Sequence, residues 1–186
     1  QPWLITWTGP DGYTATTATV TGLAAGTYTL TVNDLNGCAE YSFIEVVTQP
    51  DAIEITGVTL SDYGGFGVNC AESADGLIAV TVQGGTPPLT IAWTGHDGFT
   101  SDQLSLTALR AGLYTLVVTD ANGCVLTAEY TLTAPEPMIV SAVTTDASCP
   151  DTPDGSIDLT VAGGSGTLAY MWNDGVTTAD RTNILP

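Results

Sequence analysis

The chain has no lysine. Arg110 and Arg181 are its only strongly basic side chains, against twenty aspartates and glutamates, for a formal net charge of −18 at pH 7. Such a surface cannot neutralise a phosphate backbone, so nucleic-acid binding and docking on anionic membranes are excluded. No apolar run approaches the ~18 residues of a spanning helix, so membrane insertion is not expected. An N-terminal signal-peptide pattern is also absent. There is no Asn-x-Ser/Thr acceptor, so N-glycans are not expected. His96 is the only histidine, which leaves poor material for a Ser-His-Asp triad or a zinc site. Paired loop carboxylates could form a glycosidase pair, but nothing separates any pair from the other surface acids. The expectation is that the protein is not an enzyme. No segment of ten or more residues carries a 3.6-residue apolar period, so helix should be nearly absent.

What remains is a strand-and-turn composition. Hydrophobic residues make up 44% and charged residues only 12%, which argues against disorder. The 32 threonines fit solvent-facing strand positions, or alternatively O-glycosylation of a surface polymer.

The chain also repeats itself. Leu23-Ala24-Ala25-Gly26-Thr27-Tyr28 recurs 86 residues later as Leu109-Arg110-Ala111-Gly112-Leu113-Tyr114. Asp34-Leu35-Asn36-Gly37-Cys38 recurs at the same spacing as Asp120-Ala121-Asn122-Gly123-Cys124, and Trp7 as Trp93. A third copy follows at a spacing of 79: Cys70 with Asp75-Gly76 matches Cys149 with Asp154-Gly155, and Trp93 matches Trp172. Fixed spacing of several anchors marks a tandem-repeat architecture. Residues 51–137 hold one complete unit, 1–50 the C-terminal part of another, and 138–186 the N-terminal part of a third. This reads as a window on a longer array, which accounts for the missing signal peptide.

Within the complete unit, turn signals fall every 8–12 residues between Val/Thr/Ile/Leu-rich runs, the pattern of an all-β sandwich. Expected strands are 53–60, 77–82, 89–93, 103–106, 113–119 and 125–133. The last two form a hairpin across Asp120-Ala121-Asn122-Gly123, a strong short-range turn signal. Trp93, with its counterparts Trp7 and Trp172, is the expected core aromatic. Tyr114 and its counterpart Tyr28 enter the penultimate strand, where the hydroxyl can bond backbone across the corner. The fold class is therefore all-β: tandem immunoglobulin-like sandwich repeats, one complete and two partial.

Taken together, Cys70-x4-Asp75-Gly76, Gly84-Gly85-Thr86-Pro87-Pro88, Trp93, Leu109-x-x-Gly112-x-Tyr114 and Asp120-x-Asn122-Gly123-Cys124, closing on a Pro-containing linker, resemble the SprB-type repeat. Such repeats occur in very large surface adhesins of gliding Bacteroidota and are similar to PKD and other immunoglobulin-like modules. The third copy departs from the second, with Ser165-Gly166-Thr167 where the second has Thr86-Pro87-Pro88. The resemblance implies an extracellular array on a bacterial cell surface, exported by type IX secretion and serving adhesion or forming filaments in gliding motility.

An extracellular setting favours disulfides among Cys38, Cys70, Cys124 and Cys149. Sequence proximity suggests Cys70–Cys124. Immunoglobulin-like topology objects, because these two lie at opposite ends of strands about six residues, roughly 20 Å, long, and a disulfide needs Cα atoms within about 7 Å. The other pairing staples Cys70 to the turn cysteine of an adjacent unit and Cys124 to the loop cysteine of its other neighbour, with Cys38 and Cys149 as candidates. Both pairings, and free thiols, stay open.

Asp34, Asn36, Asp75, Asp120, Asn122, Asp151 and Asp154 fall in loops at unit ends. Either they supply oxygen ligands for Ca²⁺ at the junctions, or they are turn formers. Trp3, Tyr13, Tyr63, Phe66 and Phe99 are candidates for contact with sugars, set against core or linker packing.

The leading functional expectation is a structural segment of a secreted surface adhesin or filament, whose partners are neighbouring repeats of the same polymer. A rival is a glycan- or surface-binding module, distinguished by an exposed aromatic patch. A third is a pilus-like subunit whose half-units are completed by neighbouring chains. Against the last, constant spacing makes the two partial copies share about twenty residues around Trp7 and Trp172.

Overall fold

The computed structural model describes residues 3–34, 36 and 40–184. It forms two compact units, Gln1–Ala52 and Ile53–Pro186. Among the described residues there is no α-helix, only 3-10 turns at Pro10–Gly12 and His96–Gly98.

In the first unit, β1 (Trp3–Thr8), β2 (Thr14–Ala15), β3 (Gly26–Asp34) and β4 (Glu40–Val47) form one antiparallel sheet in the order β2-β1-β3-β4. Trp7 pairs with Leu30, and Leu30 with Phe43, so these three side chains share a face.

The second unit begins with a two-sheet sandwich. One sheet, in the order β5-β6-β9, holds β5 (Glu54–Leu60), β6 (Gly76–Gln83) and β9 (Ser105–Leu109). The other runs β8-β7-β10-β11, from β7 (Thr90–Gly95), β8 (Thr100–Ser101), β10 (Gly112–Thr119) and β11 (Val125–Leu132). Alternation along the strands builds the core. In β10, Tyr114, Leu116 and Val118 are buried at every second position. They meet Ile78 and Val80 of β6 and Leu106 and Leu109 of β9, around a Trp93 only 1% exposed. This is the all-β, immunoglobulin-like sandwich expected from the sequence. The strand expected at 103–106 runs instead over Ser105–Leu109, because its pairing to β6 continues to Gly76↔Leu109.

After the Pro135–Pro137 linker, β12 (Ile139–Thr145), β13 (Gly155–Ala162) and β14 (Arg181–Ile184) form a third sheet in the order β12-β13-β14. It repeats β5-β6-β9. Residues 163–180 hold no strand. The Trp172 indole donates to Thr178 O, six residues on, whereas Trp7 and Trp93 reach ten residues on, to Thr17 O and Gln103 O. Gly155 pairs with Ile184 as Gly76 pairs with Leu109. The third copy is thus four residues shorter after its tryptophan, and constant spacing misplaces its end. Left-handed backbone at Gly22 (φ 69°), Ala108 (φ 56°) and Asn183 (φ 59°) marks the same register in all three copies.

Candidate functional site

The complete sandwich has two ends, each organised by short polar contacts. At the top, Asp120 is 6% exposed and closes the β10–β11 turn. One carboxylate oxygen accepts the N–H groups of Asn122 (2.9 Å) and Cys124 (2.8 Å), and the other accepts that of Thr86 (3.0 Å). Asn122 Nδ2 donates to Thr86 Oγ1 at 2.9 Å, and the Ala121 N–H donates to Thr86 O. Asp120 therefore ties the last hairpin to the Gly84-Gly85-Thr86 turn. The Thr86 N–H, helped by those of Cys124 and Asn122 and opposed by burial, holds its carboxyl below the usual aspartate value.

At the bottom, Tyr114 Oη donates to Arg110 O at 2.9 Å, and Tyr28 Oη to Ala24 O at 2.9 Å in the first unit. Burial pushes the Tyr114 phenol up, against the hydrogen bond to Arg110 and with the Asp97 charge adding to the rise. Phe99 and Tyr13 pack edge-on against Tyr114 and Tyr28, with ring centroids 5.4 Å apart. These two aromatics are corner packing. Tyr63 donates its hydroxyl to Asp75 O, Phe66 three residues on is half-buried, and Trp3 is exposed.

The bottom loop also forms the junction with the third copy. Gly164 N–H donates to Glu136 O at 2.8 Å, and Ser165 Oγ to Asn69 O at 3.3 Å. Gly163 has φ 77°, and a Cβ there would run into the Pro137 carbonyl, so glycine is required on both counts. Cys70, the linker and Gly164–Ser165 line an open cavity of about 340 Å³. Ser165 holds in its copy the place that Thr86 holds above. The loop of one repeat thus faces the Gly-Gly turn of the repeat that follows. Nothing in the sequence signals the Ser165–Asn69 contact, which joins residues 96 positions apart.

No disulfide is found among the described residues, so the expected Cys70–Cys124 and Cys124–Cys149 bonds are not supported. Cys70, Cys124 and Cys149 are free and exposed, and Cys38 lies outside the described residues. Cys70 sits at the bottom of the sandwich and Cys124 at the top, separated by β10, whose eight residues span roughly 25 Å. Cys149 lies at the far end of the next sheet, another strand length from the junction. No described pair is near enough to bond.

Three of the other loop acids accept local hydrogen bonds. Asp34 accepts the Asn36 N–H at 2.9 Å, and Asp75 the Asn69 N–H at 3.1 Å. Asp154 accepts the Ser148 hydroxyl (2.6 Å) and N–H (2.8 Å), which hold its carboxyl low. Asp151 is exposed in the loop after Cys149. Among the described residues, no three His, Cys, Asp or Glu side chains gather as a metal-holding group. In the third copy, Arg181 pairs with Asp174 at 2.6 Å and lies over the Trp172 ring, 5.3 Å from its centroid. That ion pair, which the sequence reading missed, holds the Asp174 carboxyl low.

His96 lies 3.2 Å from the Asp97 carboxylate at the mouth of a cavity of about 280 Å³, which Tyr114 and Arg110 help to line. The hydroxyl that lines that cavity, Tyr114 Oη, donates to Arg110 O.

The SprB repeat family model matches residues 68–98 and 141–177. Both matches begin near the front loop or strand of a copy and run past its tryptophan. No curated protein matches the chain. Among solved structures it is similar to "Crystal structure of Dpr2 Ig1-Ig2 in complex with DIP-Theta Ig1-Ig3", at 12% identity over 96% of this chain and 72% of that one. The TM-score is 0.30, and the likeness bears no weight. SprB repeats are found in cell-surface proteins, and such modules are typically structural. No helix is long and apolar enough to cross a membrane among the described residues. The matches and the sandwich support a repeat module of the surface-adhesin type.

Proposed function

We propose that the chain is a structural, non-enzymatic segment of a long secreted adhesin or extracellular filament on a bacterial surface. In this reading 1–50, 51–137 and 138–186 are parts of three immunoglobulin-like repeats, and the partners are neighbouring repeats. The observation that carries it is the junction. Linker and turn are joined by Gly164 N–H to Glu136 O and by Ser165 to Asn69, in a space that admits only glycine at 163. A bonded linker transmits orientation from one repeat to the next, as a projecting or load-bearing array requires. Calcium at unit ends would add stiffness; an EDTA-insensitive melt removes it from this reading.

The test is glycan-array binding together with small-angle scattering of the wild-type chain and Gly163→Ala. A structural segment shows no saturable glycan binding, and the substitution alters the scattering profile by loosening the junction. Saturable binding of a defined glycan, with a profile indifferent to Gly163, would move the assignment to the adhesive module.

A further inference from the structure

The repeat carries cysteine at two places, one in the loop before its second strand and one after its last hairpin turn. Cys70 and Cys149 hold the first place, Cys38 and Cys124 the second. Within 51–137 the two places lie at opposite ends of the sandwich, a strand length apart, too far to bond. The junction shows which end meets which. The Asn69-Cys70 loop faces the Gly163-Gly164-Ser165 turn of the copy that follows, where Ser165 Oγ donates to Asn69 O at 3.3 Å. Cys70, Gly164 and Ser165 line the same cavity.

The middle repeat shows what stands beside that turn in a complete copy. Thr86, the counterpart of Ser165, shares one carboxylate with the turn cysteine: Asp120 accepts the Thr86 N–H at 3.0 Å and the Cys124 N–H at 2.8 Å. The thiol side of this arrangement is exposed at Cys124. Asn122 Nδ2 donates to Thr86 Oγ1, so the threonine hydroxyl serves that contact as acceptor and can donate its own hydrogen outward, as Ser165 does to Asn69. In a complete copy the turn cysteine thus stands next to the residue that the preceding repeat's Asn-Cys loop touches.

We propose that the loop cysteine of each repeat forms a disulfide with the turn cysteine of the repeat that follows. The inference rests on the reading of the chain as a segment of a tandem array and deepens it. Cys70 bonds forward along the array, and Cys124 bonds backward to the loop cysteine of the repeat before it. This direction excludes Cys38–Cys70 and Cys124–Cys149, each of which would join a turn to the loop of the following repeat. The bond forms by exchange with an extracellular protein disulfide. The thiolate of one cysteine attacks that disulfide, the thiolate of the other displaces the donor from the mixed disulfide, and the donor leaves as a dithiol with the two protons and two electrons. Every junction is then held by a sulfur–sulfur bond as well as by its linker.

The experiment is a non-reducing peptide map of the native array, alkylated before unfolding and cut with an aspartate- and glutamate-directed protease. The peptide holding Cys70 is expected joined to the turn peptide of the following repeat, and the peptide holding Cys124 to the loop peptide of the preceding one. In the 186-residue chain, Ser165→Cys places a thiol at the contact, and a glutathione redox buffer should close it onto Cys70 with the loss of two titratable thiols. Thr86→Cys, at the other end of the sandwich, should leave Cys70 free. The proposal is overturned if Cys70 or Cys124 is alkylated in the native array, if either is found in the reverse pairing or bonded to the other, or if Ser165→Cys leaves Cys70 titratable. Free thiols in an array whose scattering still responds to Gly163→Ala overturn the disulfide and leave the structural reading standing.

Discussion

Asp120 shows how one side chain serves two levels of structure. Its spacing to Asn122 and Gly123 makes a turn, as aspartate does in many loops. Its second oxygen then reaches Thr86, 34 residues earlier, and fastens the hairpin to the opposite turn. Because these bonds favour the ionised form, the folded-state carboxyl titrates below the ordinary value of about 3.9. The sign follows. The unfolded chain binds the proton more readily, so the contribution is present above the unfolded value and is lost as pH falls through it towards the lower folded one. Asp120→Asn should therefore lower the urea midpoint at pH 7 and reduce the loss of stability on going to pH 3. Equal losses at both pH values would show that the charge is irrelevant.

At the scale of elements, the same tryptophan has different surroundings in different copies. Trp93 is clamped between two layers, and its indole N–H bonds Gln103 O. Trp93→Ala should cost on the order of 3–5 kcal/mol, the range for emptying a packed aromatic site. Trp7 makes the equivalent bond to Thr17 O but lies in a single sheet and is only half-buried. Trp7→Ala should cost distinctly less, measured by urea unfolding of both variants. Equal costs would mean that burial by the second layer adds nothing. Trp172 belongs to a third case, a tight turn supported by Arg181 and Asp174 after the loss of four residues. Repetition made the three tryptophans legible. The shortened turn was not, because a deletion between anchors leaves the anchors recognisable while moving everything after it.

At the scale of the molecule, the division into one closed sandwich and two open sheets predicts uneven protection from hydrogen exchange. Amides of β6 and β10, paired on both sides within a covered core, should exchange slowest. Those of β4 and β12, at sheet edges with exposed faces, should exchange fastest. Uniform protection would contradict the open-sheet description.

The sequence alone determined the repeated anchors, the strand-and-turn character, the core position of Trp93 and the corner tyrosines. All of these follow from local patterns: two-residue alternation, turn residues, and motifs recurring at fixed spacing. Tertiary structure decided which loop faces which turn, the tie from Asp120 to Thr86, the separation of the thiols, and which apolar faces are left uncovered. Those depend on segments far apart in the chain meeting in space. A core residue carries the same side chain whether or not its covering layer is present. Pattern could therefore mark Leu30 and Leu116 alike, and only the fold distinguishes the buried one from the one still open.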